Sequence, residues 1–169
     1  MEYDLCYLQD DAANSVIQTS DGGYLLAGYT NSSIEASRST WLVKTDASGI
    51  IEWNQTYAGS TASSAIESSD GGIVFAVQYP DAFGLTETDQ SGQLLFNQTY
   101  AATTSSATAE SVIQSTDEGY AMVGWTVNSE TGGHDGWLVK TDSSGNELWN
   151  QTYDGAGIYS IAERLMEAT

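Results

Sequence analysis

The chain has 169 residues, with 4 lysines and arginines against 23 aspartates and glutamates, and a formal net charge of −19. This length fits a single domain with a substantial core. Because so acidic a surface repels phosphate backbones and anionic lipids, nucleic-acid binding and electrostatic membrane docking are excluded. The chain has one cysteine and one proline, and 40% of its residues are hydrophobic. A disulfide scaffold, a collagen and a disordered chain are therefore excluded as well.

The sequence also carries signs of its compartment. No apolar run approaches the roughly 18 residues of a membrane span, and residues 1–6 lack the basic and apolar regions of a secretory signal. Candidate N-glycosylation sequons begin at Asn31, Asn54, Asn97 and Asn150. We therefore expect an extracellular or cell-surface module of a longer exported protein, with no signal peptide in this chain and no membrane insertion.

The strongest pattern is an internal repeat that occurs three times. Its first block, Ser-Val-Ile-Gln-Thr-Ser-Asp-Gly-Gly-Tyr at residues 15–24, returns in similar form at residues 64–73 and 111–120. A second block, Trp-Leu-Val-Lys-Thr-Asp-x-Ser-Gly, lies at residues 41–49 and 137–145. These blocks define three structural units.

A third block, Asn-Gln-Thr-Tyr, closes each copy and starts at Asn54, Asn97 and Asn150. The copies differ in length only between blocks: residues 79–84 are a shortened segment and residues 100–111 a lengthened one. Insertions confined in this way are typical of loops that connect regular elements.

Each repeat is interpreted as four strands, which we call a to d. In the first copy they are predicted at residues 15–19, 24–30, 41–45 and 51–57. Strand b is apolar without alternation, which indicates burial on both faces. Strand d alternates, which is typical of a half-exposed outer strand.

Glycines mark the two hairpins of a repeat. Gly22 and Gly23 follow Asp21 between strands a and b, and Gly49 ends the Asp-x-Ser-Gly turn between strands c and d, as Gly145 does in the third copy. Glycine suits such turns because it adopts positive φ without strain.

Four antiparallel strands in each repeat of 40 to 50 residues describe a β-propeller blade. We predict an all-β, β-propeller-like single domain of three four-stranded antiparallel blades, with partial terminal strands. The blades are expected at residues 12–57, 61–100 and 108–153, and residues 1–11 and 154–169 as parts of a fourth blade. Helical and leucine-rich repeats fit worse, because helical periodicity is absent and leucine-rich repeats are shorter.

Together, these three blocks resemble the propeller repeats of archaeal cell-surface proteins, particularly those of methanogens. The resemblance covers residues 5–161 and implies a scaffold within a large surface protein. The middle copy departs from the pattern: Gly84 stands where the other copies have Trp41 and Trp137, Glu87 replaces the lysine, and Phe96 replaces tryptophan.

Candidate chemistry is sparse. His134 has no second histidine as a partner and is expected at an exposed loop tip, and Cys6 has no basic surroundings that would lower its pKa. The Asp-x-Ser-Gly turns lack the alternating ligands of a calcium loop. Chance pairs of carboxylates for a glycosidase are offered by Asp10, Asp11, Asp81, Asp117 and Glu118.

The spacing Asp-x-x-Gly-x-x-x-Trp, which ends at Trp53 and Trp149, is similar to the tryptophan-docking motif of quinoprotein propellers. A mechanical role is favoured, in which the tryptophan wedges between adjacent blades. We expect Trp41, Trp53, Trp137 and Trp149 to be structural, and we expect no catalytic residue, no cofactor and no metal.

Three functions remain open. The leading one is a non-catalytic cell-surface module that acts as a scaffold or as a protein- or glycan-binding surface. The others are an enzyme or quinoprotein-like cofactor-binding propeller, and an assembly piece that completes a ring with other chains. Because three blades leave two unpaired blade faces, we expect a homo-oligomer, most simply two chains that form a six-bladed ring.

Overall fold

The computed structural model describes residues 10–31, 38–80, 82–101, 106–128 and 131–154. The described residues form strands and turns and contain no helix. The strands, in chain order, are β1 (Ala12–Gln18), β2 (Tyr24–Thr30), β3 (Ser39–Thr45), β4 (Ile51–Tyr57), β5 (Thr61–Glu67), β6 (Ile73–Gln78), β7 (Ala82–Thr88), β8 (Leu94–Ala101), β9 (Ala107–Gln114), β10 (Tyr120–Val127), β11 (His134–Thr141) and β12 (Glu147–Tyr153).

The strands build three four-stranded antiparallel sheets, each in chain order: β1 to β4, β5 to β8 and β9 to β12. We call these sheets blades 1, 2 and 3. The prediction of an all-β fold with three propeller-like blades is confirmed, and the three sheets do not close into a ring. The predicted terminal strands, in residues 1–9 and 155–169, lie outside the described residues.

Two hydrophobic cores hold the blades together, one between each pair of neighbours. Between blades 1 and 2, Leu25 and Leu42 pack against Phe75 and Val77. Between blades 2 and 3, the core is larger and is centred on the residues Phe83, Leu85, Tyr100, Tyr120, Met122 and Trp137. Each blade thus has a leading face, toward the preceding blade, and a trailing face, toward the next one.

Burial along the strands follows from the number of neighbouring blades. Strand β6 of the middle blade is buried from Ile73 to Val77, as its unbroken apolar run predicts. Tyr24 of β2, equivalent to Ile73, is exposed, because no blade among the described residues precedes it. Strand β12 is exposed along its whole length and so loses the alternation predicted for strand d.

The shortened loop of blade 2 compensates for its missing tryptophan. A side chain at Gly84 would collide with the ring of Tyr79, which lies 2.7 Å from the position of an added Cβ. Tyr79 packs against the core between blades 1 and 2. It therefore fills the leading-face space that Trp41 and Trp137 occupy in the other blades.

The first strand of every blade, which we call the inner strand, carries a β-bulge. The sequence pattern did not predict these bulges. The register shifts at Asn14 in blade 1, at Ser63 in blade 2 and at Glu110 in blade 3. A bulge redirects the side chains beside it. In each blade the residue after the bulge is the repeated serine that opens the first sequence block.

Among the residues that the structure describes, none belongs to a helix with the length and hydrophobicity needed to cross a bilayer.

Candidate functional site: blade interfaces and open ends

The turn between the third and fourth strands of each blade, here the c–d turn, is built the same way three times. In blade 1, the Asp46 side chain accepts hydrogen bonds from the backbone N–H groups of Ser48 (2.8 Å) and Ile50 (2.9 Å). Asp89 and Asp142 make the same bonds in blades 2 and 3. The aspartate side chain therefore fixes the conformation of the turn.

Positive φ values at the turn glycines complete this geometry. Gly49 and Gly92 have φ of 80° and Gly145 has φ of 76°.

Hydrogen bonds lower the pKa of two turn aspartates: those from Ser91 and Gln93 act on Asp89, and those from Asn146 and Ser144 act on Asp142. The described residues contain no group of three or more histidine, cysteine, aspartate or glutamate side chains that could hold a metal ion.

The c–d turn of blade 2 is a docking site for the outer strand of blade 1. Trp53 donates its indole N–H to the carbonyl of Gln90 at 3.2 Å, and Tyr57 donates its hydroxyl to the carbonyl of Gly92 at 2.8 Å. Burial, with the nearby charge of Asp89, raises the pKa of Tyr57 to about 12. The outer strand of one blade is thus bonded to the turn of the next.

The same docking recurs between blades 2 and 3. Tyr100 donates its hydroxyl to the carbonyl of Gly145 at 2.6 Å. The ring of Phe96 lies 2.6 Å from the position that a Cβ on Gly145 would take, so only glycine fits beneath it. Phe96 keeps the packing of Trp53, but it has no N–H to donate.

The inner strands make a second set of repeated contacts. The Ser15 hydroxyl accepts from the N–H of Ala65 in the next blade (3.3 Å), and the Ser64 hydroxyl accepts from the N–H of Val112 (3.4 Å). The recurrence of this serine therefore has a structural reason in blades 1 and 2, where Ser15 and Ser64 each accept a hydrogen bond from the following blade.

The turns between the first and second strands are bonded across blades as well. Ser20 donates its N–H and its hydroxyl to Glu67 of the next blade at 2.7 and 2.8 Å. Ser69, equivalent to Ser20, donates its N–H to Gln114 of blade 3 at 2.9 Å. These two turns therefore contact the next blade through equivalent positions.

A buried lysine connects the first turn of blade 1 to its outer strand β4. The Nζ atom of Lys44 forms salt bridges with Oδ2 of Asp21 at 2.8 Å and with Oε2 of Glu52 at 2.9 Å. Burial lowers the pKa of Lys44, but these two hydrogen bonds outweigh that effect and leave the pKa raised. The bond from Lys44 also holds the pKa of Asp21 well below its usual range.

The equivalent lysine of blade 3 forms one such pair. Lys140 bonds Asp117 at 2.9 Å. Hydrogen bonds from Ser115 and Lys140 lower the pKa of Asp117 to about 2.

Blade 2 carries a carboxylate where the other blades have this lysine. Glu87 is buried and accepts a hydrogen bond from the Tyr120 hydroxyl of blade 3 at 3.1 Å. Burial raises the pKa of Glu87, the bond from Tyr120 opposes that effect, and the negative charge of Asp70 adds to it. This interface therefore contains a carboxyl group whose pKa is raised above its usual value.

The two outermost faces expose residues whose equivalents are covered inside the stack. On the trailing face of blade 3, Trp149 is 48% exposed and Tyr153 is 45% exposed. On the leading face of blade 1, Val16 is 65% exposed, and nothing in the described part of the chain lies within 4 Å of a Cβ added at Gly49. Within the described residues, blade 3 thus has a docking strand with no blade after it, and blade 1 has a docking turn with no blade before it.

The sequons of the outer strands lie opposite the docking residues. Asn54, Asn97 and Asn150 are exposed, and Asn31 at the end of β2 is half-buried. Asn150 accepts the indole N–H of Trp137 at 3.2 Å. Accessibility of the three outer sequons is therefore a property of this fold.

Two other candidate residues occupy defined places. Gly22 has φ of 86°, and Gly23 lies against the carbonyl of Thr45 with no room for a side chain. His134 is exposed, but it starts strand β11 and does not lie at a loop tip; its ring stacks on Trp125 with centroids 4.1 Å apart. Pairing with β10 extends the strand back to this residue.

The acidic residues considered for a glycosidase pair have separate roles. Asp11 accepts a bond from the Thr30 hydroxyl, Asp10 from the Tyr29 hydroxyl, and Asp117 pairs with Lys140. Glu118 lies in the adjacent turn with φ of 64°. Asp81 and Cys6 lie outside the described residues.

A shallow groove of about 400 Å³ runs along the outer rim between blades 1 and 2. It is lined by Tyr57, Gly92, Leu94 and Asn97 among others. Two of these residues, Tyr57 and Gly92, form the docking bond itself, so the groove is a by-product of the blade interface.

No family model matches the sequence, and no curated protein matches it either.

Proposed function

We propose that this chain is a non-catalytic repeat module of a cell-surface protein, in which stacked blades form a scaffold. The observation that carries the proposal is the repetition of one interface. Tyr57 and Ser15 bond blade 2 in the way that their equivalents Tyr100 and Ser64 bond blade 3. Repeated residues of the sequence are used to join one blade to the next, which is what a scaffold built from repeats requires.

Location at a cell surface is supported by the exposure of Asn54, Asn97 and Asn150. An exported, glycosylating host can modify such sequons. Mass spectrometry of natively produced protein should find glycans on at least one of the three asparagines. Unmodified peptides at all three would contradict this part of the proposal.

A second candidate, an assembly piece that continues a blade array, is favoured by the open ends. The exposed Trp149 and Tyr153 present the same groups that Trp53 and Tyr57 use inside the chain. A further blade, from the same protein or from another chain, is the partner that these groups fit. Protein or glycan ligands would then contact the outer surface of the array.

A tandem protein, in which two copies of the chain are joined end to end in one polypeptide, tests the scaffold function. Because joining adds one blade interface, the tandem should unfold cooperatively at a higher urea midpoint than the single chain. The matched control is the same tandem with Trp149→Ala and Tyr153→Ala in its first copy, which should return to the single-chain midpoint. A tandem whose midpoint equals that of the single chain would contradict the proposal.

A further inference from the structure

We propose that the trailing face of blade 3 binds the leading face of blade 1 of a second copy of this chain, in a head-to-tail interface. This inference rests on the proposed function, and it adds the partner, the orientation and the individual bonds. It follows from comparing the outer faces of blades 1 and 3, as the described residues form them, with the two internal interfaces.

The trailing end carries the docking residues of an internal trailing face. Trp149 and Tyr153 are equivalent to Trp53 and Tyr57 of blade 1. In addition, Ser111 is equivalent to Ser15 and Ser64, whose hydroxyls accept a bond from the following blade. Blade 3 therefore presents both an indole donor and a phenol donor, a combination that the 2–3 interface lacks because of Phe96.

The leading end carries the matching acceptors and donors. The carbonyls of Ala47 and Gly49 are equivalent to those of Gln90 and Gly92, which accept from Trp53 and Tyr57. The N–H of Val16 is equivalent to that of Ala65, which donates to Ser15. The side chain of Gln18 is equivalent to Gln114, which accepts from Ser69.

Applying the internal pattern across two copies gives the interface bond by bond. Trp149 of one copy donates to the Ala47 carbonyl of the other, and Tyr153 donates to the Gly49 carbonyl. The Ser111 hydroxyl accepts the N–H of Val16, and Gln18 accepts the N–H of Thr116, which is equivalent to Ser20 and Ser69.

Apolar burial favours the same pairing. Ile113 is equivalent to Ile17 and Ile66, which pack in the two internal cores, and it is exposed on the trailing face. Val16 is equivalent to Ala65 and Val112, which are buried in those cores, and it is exposed on the leading face. Joining the two faces covers both residues. Removal of their apolar surface from water favours this association.

An interface between two different faces is heterologous, so it closes into a ring or continues as a filament, according to the rotation between blades. Two copies closing on each other would give six blades. The net charge of −19 on each copy opposes association, and salt that screens this repulsion should strengthen it.

The test uses two variants of the full chain, each with one end disabled. Trp149→Ala with Tyr153→Ala removes the trailing donors, and Val16→Asp puts a charge on the leading face. Each variant alone should lose self-association at least about tenfold in affinity, because truncating buried anchors of an interface has effects of this size. Mixed in equal amounts, the two variants should form a dimer with one copy of each, since one intact interface remains between them.

Leu148→Ala is the matched control for the trailing variant. Leu148 is 57% exposed on the same strand, but its equivalent Leu95 stays 59% exposed in the middle blade, which has neighbours on both sides. This control should associate as the parent does. Gln18→Arg serves as a second leading-face variant if circular dichroism shows that Val16→Asp does not fold.

Sedimentation of parent, variants and mixture over a range of protein and salt concentrations gives the readout. Association of the parent and a mixed dimer of the two variants would support the interface. A parent that stays monomeric at high salt would overturn it, and so would a one-ended variant that still associates with itself. The covalent tandem presents the same two faces at a high effective concentration, so it can form the interface even where free copies stay apart. The scaffold function itself rests on the two interfaces inside the chain.

Discussion

A single glycine position in the c–d turn shows how neighbouring blades constrain one residue. Gly49, Gly92 and Gly145 share nearly the same φ, so the backbone requires glycine equally at all three. Their surroundings differ: open space at Gly49, Trp53 and Tyr57 at Gly92, and Phe96 at Gly145. The position of the blade in the stack, and not the local sequence, therefore sets how much stability a side chain at this glycine would cost.

Alanine substitutions at Gly49 and Gly145 separate the stability cost of backbone strain from the cost of disturbing the contact between blades. Gly49→Ala should cost about 1–2 kcal/mol, the penalty of a left-handed conformation for an L-residue. Gly145→Ala should cost more, because its Cβ also meets the ring of Phe96 at 2.6 Å. Urea unfolding of both variants measures the difference, and equal losses would contradict docking at Gly145.

Glu87 predicts a pH dependence with a definite sign. Burial holds its pKa above the usual value in the folded protein, so the folded state favours the protonated form. The stability that protonation contributes is present below the usual glutamate pKa and is lost as pH rises through the raised value.

Glu87→Gln removes this dependence while keeping an acceptor for the Tyr120 hydroxyl. The variant should therefore gain stability relative to the parent as pH rises from about 4 to about 7. Urea midpoints measured across that range give the comparison, with Glu118→Gln on an exposed turn as the control. A difference between variant and parent that stays constant with pH would show that Glu87 does not titrate in this way.

At the scale of elements, the outer strands join each blade to the next through a tyrosine hydrogen bond, which we call the latch. Each of β4 and β8 sends a tyrosine hydroxyl to a carbonyl of the next blade, from Tyr57 to Gly92 and from Tyr100 to Gly145. The equivalent Tyr153 of β12 is exposed. Within the described residues, two copies of this tyrosine therefore bond the next blade, and the third copy has no blade after it.

Tyrosine-to-phenylalanine substitutions test the latch. Tyr57→Phe and Tyr100→Phe keep the ring and remove one hydrogen bond, so each should lower the free energy of unfolding by about 1 kcal/mol. Tyr153→Phe should have almost no effect in dilute, low-salt solution, where we expect single copies to predominate. Denaturant unfolding of the three variants decides, and a loss at Tyr153 as large as at Tyr100 would contradict the latch.

Much of the element structure could be predicted from the sequence, because turn chemistry and alternation are local. The hairpins at Gly22 and Gly49 and the half-burial of Trp53 follow from such patterns. The bulge at Asn14, which lengthens β1 back to Ala12, depends on pairing with β2 and leaves no local signal. The substitution of Tyr79 for a missing tryptophan depends on a loop folding back, so only the structure shows it.

The predicted interface roles met the same limit. The sequence indicates that Trp53 wedges between blades, but not that Ser15 accepts a bond from the next blade or that Glu87 bonds Tyr120. These contacts join residues far apart in the chain. Their geometry follows from the stacking of blades, which periodicity alone does not specify.

At the scale of the whole molecule, the described residues form a stack of three blades, and we propose that the outer faces of the first and third blades are complementary. Its internal interfaces define what each end can bind, because the repeat places the same groups at the same positions. Its charge of −19 works against any contact between copies. Single copies should therefore predominate at low salt and low concentration, with the terminal docking strand open to solvent.

Hydroxyl-radical footprinting read by mass spectrometry tests this account most directly, because it compares equivalent residues within one molecule. In dilute, low-salt solution, Trp149 and Tyr153 should be oxidised several times faster than Trp53 and Tyr57, since only the latter pair docks on a following blade. Equal protection of the two pairs under these conditions would contradict the open-ended stack of blades.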